Sequence, residues 1–202
     1  MSDPNRFALA PRLPEGELDP GALVGAPGKT VELEVGPGRG AFILERLAGN
    51  PEARLIGLEI KRKWSTIVDE RIQQRGLAAR GRVFCEDARL ALPRFPGQSV
   101  SIAYFHFPDP WWKKKHQKRL VLTPTLLDEL TRVVVSGGEL FVQTDVEERA
   151  RTYEAVIDQH GGFTPTGDSA RVADNPYGTM SPRERRATAD GLPIFRLRYT
   201  RG

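Results

Sequence analysis

The segment from Thr30 to Pro51 restricts the fold more than any other part of this 202-residue chain. Val31, Leu33 and Val35 alternate with Glu32 and Glu34, the period of a strand. Three glycines within five residues, Gly36-Pro37-Gly38-Arg39-Gly40, then interrupt regular structure. Beyond them Phe42, Ile43, Leu44 and Leu47 return at helical spacing, and Gly49 and Pro51 supply the usual stop. A strand that turns through glycines straight into a helix is the first half of a β–α–β unit. The next strand then lies parallel to the first, because the crossover helix carries the chain back to the same end of the sheet.

The same rhythm continues. Strands are predicted at 54–59, ending on Glu59; at 82–85, leading into Glu86-Asp87; from Val100 to Phe105; and at 139–143, followed by Thr144-Asp145. Between them one helix places Trp64, Ile67, Val68 and Ile72 on a single face and stops at Gly76. Another, with Leu126, Leu127, Leu130 and Val133 as its stripe, starts at Thr123 as N-cap and Pro124 at the first helical position and runs through Val134. Gly137-Gly138 reads as the turn into the strand at 139. A helix at about 147–160 and late strands near Phe163 and over 194–199 complete the chain. Alternating strands and helices predict an α/β fold, a mostly parallel sheet with helices on both faces, and such sheets bind ligands at the carboxyl ends of their strands. Residues 1–28 hold five prolines and four glycines without periodicity, so 1–29 reads as an irregular N-terminal arm and 30–202 as a single domain.

Acids mark those carboxyl ends. Glu59, Asp87, Asp109 and Asp145 fall at or within a few residues of the ends of four predicted strands, and Glu34 stands one step before the first glycine turn. The fourth strand is stopped abruptly. Pro108 and Pro110 remove two backbone donors and bias Phe107 and Asp109 toward extended geometry, which displays Asp109 on a stiff elbow. Trp111 and Trp112 follow, and six of the seven residues from Lys113 to Arg119 are Lys, Arg or His. A fixed carboxylate, flat π-faces and a cationic block in succession suit a nucleobase held near an acid while its phosphates are gripped. The plainer alternative is a solvated charged face with indoles plugging the end of a core.

Composition narrows the partners. A net charge of +4 and a pI near 9.4, with much of the excess in one block, lean toward an anionic partner. The lone Cys85 allows no internal disulfide, and the scattered His106, His116 and His160 lack metal-ligand spacing. No apolar run approaches the roughly 20 residues of a membrane span. The expectation is therefore a protein of the reducing cytoplasm with no membrane segment and no metal.

The glycine loop by itself admits two ligands. Gly36-x-Gly38-x-x-Ala41, with Glu59 some twenty residues on, also satisfies a dinucleotide-binding fingerprint. Two features favour S-adenosylmethionine. Glu34 repels a pyrophosphate and suits a ligand carrying an ammonium and a sulfonium, and Pro37 takes a donor out of the turn where phosphate oxygens would need one. Gly36 and Gly38 let the backbone approach the ligand, Glu59 can accept from ribose hydroxyls, and Asp87 lies where an acid or its neighbouring amide meets an adenine amino edge.

Val-Glu-Leu-Glu-Val-Gly-Pro-Gly-Arg-Gly, Ile-Gly-Leu-Glu, Phe-Pro-Asp-Pro-Trp-Trp-Lys-Lys-Lys-His-Gln-Lys-Arg-Leu and Gln-Thr-Asp, in this order and spacing, resemble the bacterial tRNA (guanine-N7-)-methyltransferases from about Thr30 to Tyr199. The Asp-Pro-Trp element with its basic tail is the specific part; the glycine loop is common to Rossmann-like class I methyltransferases. The resemblance implies methylation of N7 of a variable-loop guanine in tRNA. It implies cofactor contacts at Glu34, Glu59, Asp87 and Asp109, with Asp109 also catalytic. It implies substrate contacts at Lys113, at Asp145 and in a late Thr-x-x-Glu element that here reads Ser181-Pro182-Arg183-Glu184, in a monomer or homodimer. Two positions depart from the pattern: Trp112 stands where proline is usual, and Ser181 replaces threonine. Ser-Pro-x-Glu is also a helix capping box, so pure helix initiation stands beside the substrate reading. Two rivals share parts of the motif set. One is an amino-group methyltransferase, whose Asp-Pro-Pro-aromatic element this chain misses by its second proline; the other is an RNA-binding module with a vestigial cofactor pocket.

Overall fold

The computed structural model describes residues 7–108 and 120–202, with Pro182 described by its backbone alone. In chain order it contains β1 (Val31–Val35), α1 (Ala41–Gly49), β2 (Leu55–Leu58), α2 (Arg62–Gln74), β3 (Gly81–Phe84) and α3 (Ala88–Ala91). Then follow β4 (Val100–His106), α4 (Pro124–Val133), β5 (Val134–Thr144), α5 (Glu147–His160), β6 (Phe163–Pro165), β7 (Arg171–Val172), α6 (Pro182–Ala189) and β8 (Phe195–Arg201). One sheet takes them in the order β3-β2-β1-β4-β5-β8-β6, with β7 also on β8. The strands from β3 to β5 are parallel, and β8 runs antiparallel between β5 and β6. The fold is the mostly parallel, Rossmann-like sheet expected of a class I methyltransferase.

The chain fills the sheet outward in both directions from β1. β2 and β3 lie on one side and β4 and β5 on the other, so the order of strands reverses between β1 and β4. Helices leave the sheet toward opposite faces at such a point, which opens a crevice at the carboxyl ends of the two strands. α1 and α2 cover one face with Phe42, Ile43, Leu44, Leu47, Val68 and Ile72. α4 and α5 cover the other with Leu126, Leu127, Leu130, Val133, Tyr153 and Ile157. The N-terminal segment joins this second core through Leu13, Leu18 and Val24, and its Pro11 carbonyl accepts from the amide of Cys85 just beyond β3.

Local chemistry accounts for most boundaries. The Thr123 side chain accepts from the amide of Leu126 with Pro124 next to it, as expected of that cap. Gly40, φ 74°, heads α1, and a Cβ there would lie 2.2 Å from Cγ1 of Val68, so this glycine lets α1 sit against α2. Two expectations need correction. Gly137-Gly138 is no turn between elements: β5 already pairs with β4 at Val134, loses register, and resumes at Glu139 opposite Ile102, so the glycines form an irregularity inside one strand. Phe107 is not extended but has φ 50°. Its amide still donates to the carbonyl of Gln143, 2.6 Å away, so the ladder holds it to the end and the chain bends at its Cα.

Candidate active site

Period-two alternation sends Glu32 and Glu34 of β1 to the same face as Tyr104 and His106 of β4 and Phe141 and Gln143 of β5, beneath α1. An aromatic layer seals this face. Phe42 lies 4.8 Å from Tyr104 and 4.0 Å from His106 between ring centroids, and Tyr177 meets Tyr104 and Phe141 edge-on at 4.9 and 5.0 Å. Two buried carboxylates in such a setting need partners. Glu32 has them: Arg46 donates to both its oxygens at 2.8 and 3.0 Å, and the Tyr104 hydroxyl donates at 2.9 Å. Burial and the neighbouring Glu32 carboxylate raise the Tyr104 phenol well above its usual range, so it stays a donor.

Glu34 is different. Its side chain is 3% exposed, and its Oε1 lies 3.0 Å from Nδ1 of His106, itself 4% exposed. Its second oxygen, Oε2, is buried without a protein partner, and so are Nε2 of His106 and both amide atoms of Gln143. Glu34, His106 and Gln143 lie at the end of the three central strands or one residue short of it, at the crevice where the strand order reverses. Buried polar atoms without partners are costly, and three residues with such atoms meet here, a carboxylate oxygen among them.

The glycine loop closes the same corner. Gly36, φ 73°, and Gly38, φ 55°, both face space, since a Cβ on Gly36 would meet nothing within 4 Å and one on Gly38 only the Gly36 carbonyl at 4.0 Å. Glu59, just beyond β2, ties the loop down: its Oε2 accepts from the amide of Gly38 at 3.0 Å and its Oε1 from that of Lys61 at 2.9 Å. Each carboxylate oxygen has a second lone pair, so the group can accept from a diol as well. Asp87, beyond β3, caps α3 by accepting from the amide of Arg89, whose guanidinium holds its carboxyl below the usual range. That guanidinium is 70% exposed, so the pair is a weak restraint on Asp87. Glu34, Gly36, Gly38 and Glu59 are thus one contiguous site, and Asp87 lies along the same rim.

The other half of the rim belongs to β5 and α6. Asp145 follows β5 and makes a two-pronged ion pair with Arg183 of α6, with N–O distances of 2.8–2.9 Å. The Arg183 guanidinium also stacks 5.1 Å over the ring of Phe107. Ser181 is the N-cap of α6, its hydroxyl accepting from the amide of Glu184 at 3.1 Å. The Glu184 side chain is 0% exposed and accepts from Arg196 of β8 at 2.9 Å and from Asn175 at 3.1 and 3.2 Å. The hydroxyl therefore serves the cap, while the carboxylate fastens α6 to the sheet. Asp109 and Lys113, with Trp111, Trp112 and the rest of the basic block to Arg119, lie outside the described residues.

His106 and Gln143 were not among the expected site residues. The signal was available: in a strand running Tyr104-Phe105-His106, His106 shares a face with Tyr104, and that face is shared with Glu34 once β1 and β4 are neighbours. Among the described residues no cluster of three metal-ligating side chains occurs.

Comparison with known proteins bears on the family and the fold. Residues 28–197 match the family described as "Putative methyltransferase". The tRNA (guanine-N(7)-)-methyltransferase of Myxococcus xanthus (strain DK1622) is 36% identical over 169 residues, 83% of this chain and 82% of that protein. The protein of the same name from Anaeromyxobacter dehalogenans (strain 2CP-C) is 37% identical over 183 residues, 89% of this chain and 90% of that one. Among solved structures, the 16S rRNA methyltransferase KamB superimposes with a TM-score of 0.60 at 16% identity, covering 86% of this chain and 88% of its own. The geranyl diphosphate C-methyltransferase of Streptomyces coelicolor A3(2) gives 0.56 at 14% identity, covering 87% and 75%. At such identities the structures speak for the fold alone.

Proposed function

The chain belongs to the tRNA (guanine-N(7)-)-methyltransferase family, and from that premise we propose that it methylates N7 of a guanine in tRNA with S-adenosylmethionine as methyl donor. The observation that carries the reading is the buried, unpartnered Oε2 of Glu34 beside an open glycine loop. That carboxylate suits the ammonium of the methionine moiety and repels a pyrophosphate. Gly36 and Gly38 offer backbone to the ligand, Glu59 accepts from the ribose hydroxyls, and Asp87 takes the adenine amino edge. When bound, S-adenosylmethionine supplies an electrophilic methyl on a sulfonium.

Guanine N7 carries a lone pair and no proton, so its methylation needs no general base. The task left to the protein is to align the base and to favour the positive charge that arrives on it. We assign that task to Asp109, whose carboxylate can also accept from the guanine N1–H and amino group. Lys113 serves O6 or a phosphate, leaving N7 free. Asp145 is assigned to the substrate and trades its Arg183 partner for it. Ser181 and Glu184 act on the same side by setting α6, and with it Arg183, against the ends of β4 and β5. A tRNA substrate puts the protein in the cytoplasm, and among the described residues no helix is long and apolar enough to cross a membrane.

Incubation with methyl-labelled S-adenosylmethionine and bulk tRNA, followed by digestion to nucleosides, tests the proposal. Label in 7-methylguanosine is the expected result. Label on an exocyclic amino group, or none in RNA, refutes it.

A further inference from the structure

A second basic region lies on the α1–α2 side of the molecule, apart in sequence from the block at 113–119. Lys61, Arg62 and Lys63 lead into and open α2, Arg39 follows Gly38 ahead of α1, and Arg71 in the last turn of α2 stands four residues before Arg75, its C-cap; all six are exposed. Among the described residues no carboxylate is ion-paired with any of them, and Glu45, an acid of this face, is held by Arg185 at 2.6 Å. Asp69 of α2 is buried and taken by Arg82. Arg39, Arg71 and Arg75, with Ala41, Leu44 and Glu45, line a shallow depression of about 170 Å³. The Arg71 guanidinium also donates to the carbonyl of Arg39 at 3.4 Å, which keeps it at the edge of that depression. Trp64 lies under two of the cations, with Arg39 Cζ at 5.3 Å and Lys63 Nζ at 5.4 Å from its ring.

Arg71 and Arg75 sit at the i,i+4 spacing where like-charged helical neighbours repel, and Glu45, the acid that lines the same depression, is already paired with Arg185. The cations form two groups, Lys61, Arg62 and Lys63 at the strand-end rim, one residue past the exposed Ile60, and Arg71 with Arg75 about 12 Å farther along at 1.5 Å per residue, so that together they span about 20 Å. That length fits several successive phosphates rather than one isolated anion.

We propose that this face is an RNA-docking surface: a strand of the tRNA substrate runs from the catalytic rim along α2, with one phosphate seated between Arg39, Arg71 and Arg75. The proposal rests on the tRNA reading above and adds to it a grip outside the target nucleotide. Phosphate contacts of this kind set position without selecting sequence.

The test is the R71Q/R75Q double variant in the full chain, assayed for tRNA binding across a salt series and for methylation. The expected result is a slope of log affinity on log salt flatter by about 1.4–1.8, the share of two released counterions. A raised KM for tRNA should accompany it, with turnover at saturating tRNA and S-adenosylmethionine affinity unchanged. Arg151→Gln on α5, against the opposite face of the sheet, should leave the slope alone. An unchanged slope in R71Q/R75Q, in a protein whose wild type methylates tRNA, overturns the proposal. Equal flattening per charge in Arg151→Gln overturns it too, by showing an effect of net charge alone. A wild-type chain that neither binds nor methylates tRNA instead overturns the functional reading on which the proposal stands.

Discussion

Glu32 and Glu34 show how two identical side chains, two residues apart on one strand face, come to different uses. Glu32 is neutralised by Arg46 and Tyr104, and its place is structural. Glu34 keeps one buried oxygen without a protein partner, which is the basis on which we assign it to the cofactor. Glu34→Gln should therefore weaken S-adenosylmethionine about tenfold or more, the worth of a hydrogen bond to a charged group, with little loss of thermal stability. Calorimetry giving wild-type affinity would remove Glu34 from the cofactor site. Wild type should bind no NAD in the same experiment. Asp109→Ala should keep the fold and lose at least ~10²-fold in turnover, the scale of one preorganised electrostatic group. Because no proton is abstracted from N7, Asp109→Asn should retain more activity than the alanine variant if orientation is the main task, and no more if charge is. A wild-type turnover number in Asp109→Ala would dismiss that carboxylate from catalysis.

At the level of elements, two joints decide how the site is assembled. The first is the contact of α1 with α2 at Gly40. Gly40→Ala places a methyl 2.2 Å from Val68 and demands φ 74° of a residue with a side chain. The backbone term alone is about 1–2 kcal/mol, so the melting temperature should fall by several degrees; an unchanged melting curve would show that α1 can shift without cost. The second joint is α6. Ser181→Ala removes an N-cap worth about 1 kcal/mol, whereas Glu184→Ala leaves Arg196 without its buried partner, a loss of about 3 kcal/mol or more. Because the cap is local and the ion pair reaches β8, limited proteolysis should cut the segment before α6 faster in Glu184→Ala than in Ser181→Ala. The reverse order would mean that the cap, not the tie to β8, holds the helix.

Over the whole molecule, the polar ties between layers make stability depend on pH at the alkaline end. Burial first, with carboxylate neighbours adding to it, raises the phenols of Tyr104, Tyr177 and Tyr199 above the usual value of 10.0. In the unfolded chain these groups ionise near that ordinary value, while the folded protein keeps them neutral. Their contribution is thus complete below pH 10 and is lost progressively as pH rises beyond it. Thermal unfolding followed across this range should show a falling melting temperature, with phenolate absorbance appearing together with unfolding rather than before it. Phenolate absorbance of the folded protein near pH 10, in proportion to all its tyrosines, would contradict the buried assignment. Glu139, where burial is outweighed by donation from Arg198 and Tyr177, has its carboxyl held below the usual 4.5, so its share of stability is present above that pH and disappears as pH falls through the lowered value.

The order of strands and helices was legible in the sequence because it is written in local periods: alternation in Val31–Val35, helical spacing from Phe42, the Thr123-Pro124 start. The glycine loop and Glu34, Glu59, Asp87 and Asp145 at strand ends were legible for the same reason, since a parallel sheet sends every strand's carboxyl end to one rim. What local pattern could not reveal is which strand lies beside which. Only the sheet order, with β4 placed directly against β1, brings His106 onto Glu34 across 72 positions of sequence and leaves Oε2 without a partner. Only the packing of α6 shows that the Glu184 carboxylate holds Arg196 and that Arg183 covers Asp145. Periodicity is a property of neighbours along the chain, whereas the compensation of a buried charge depends on whichever groups the folded layers bring within hydrogen-bonding distance.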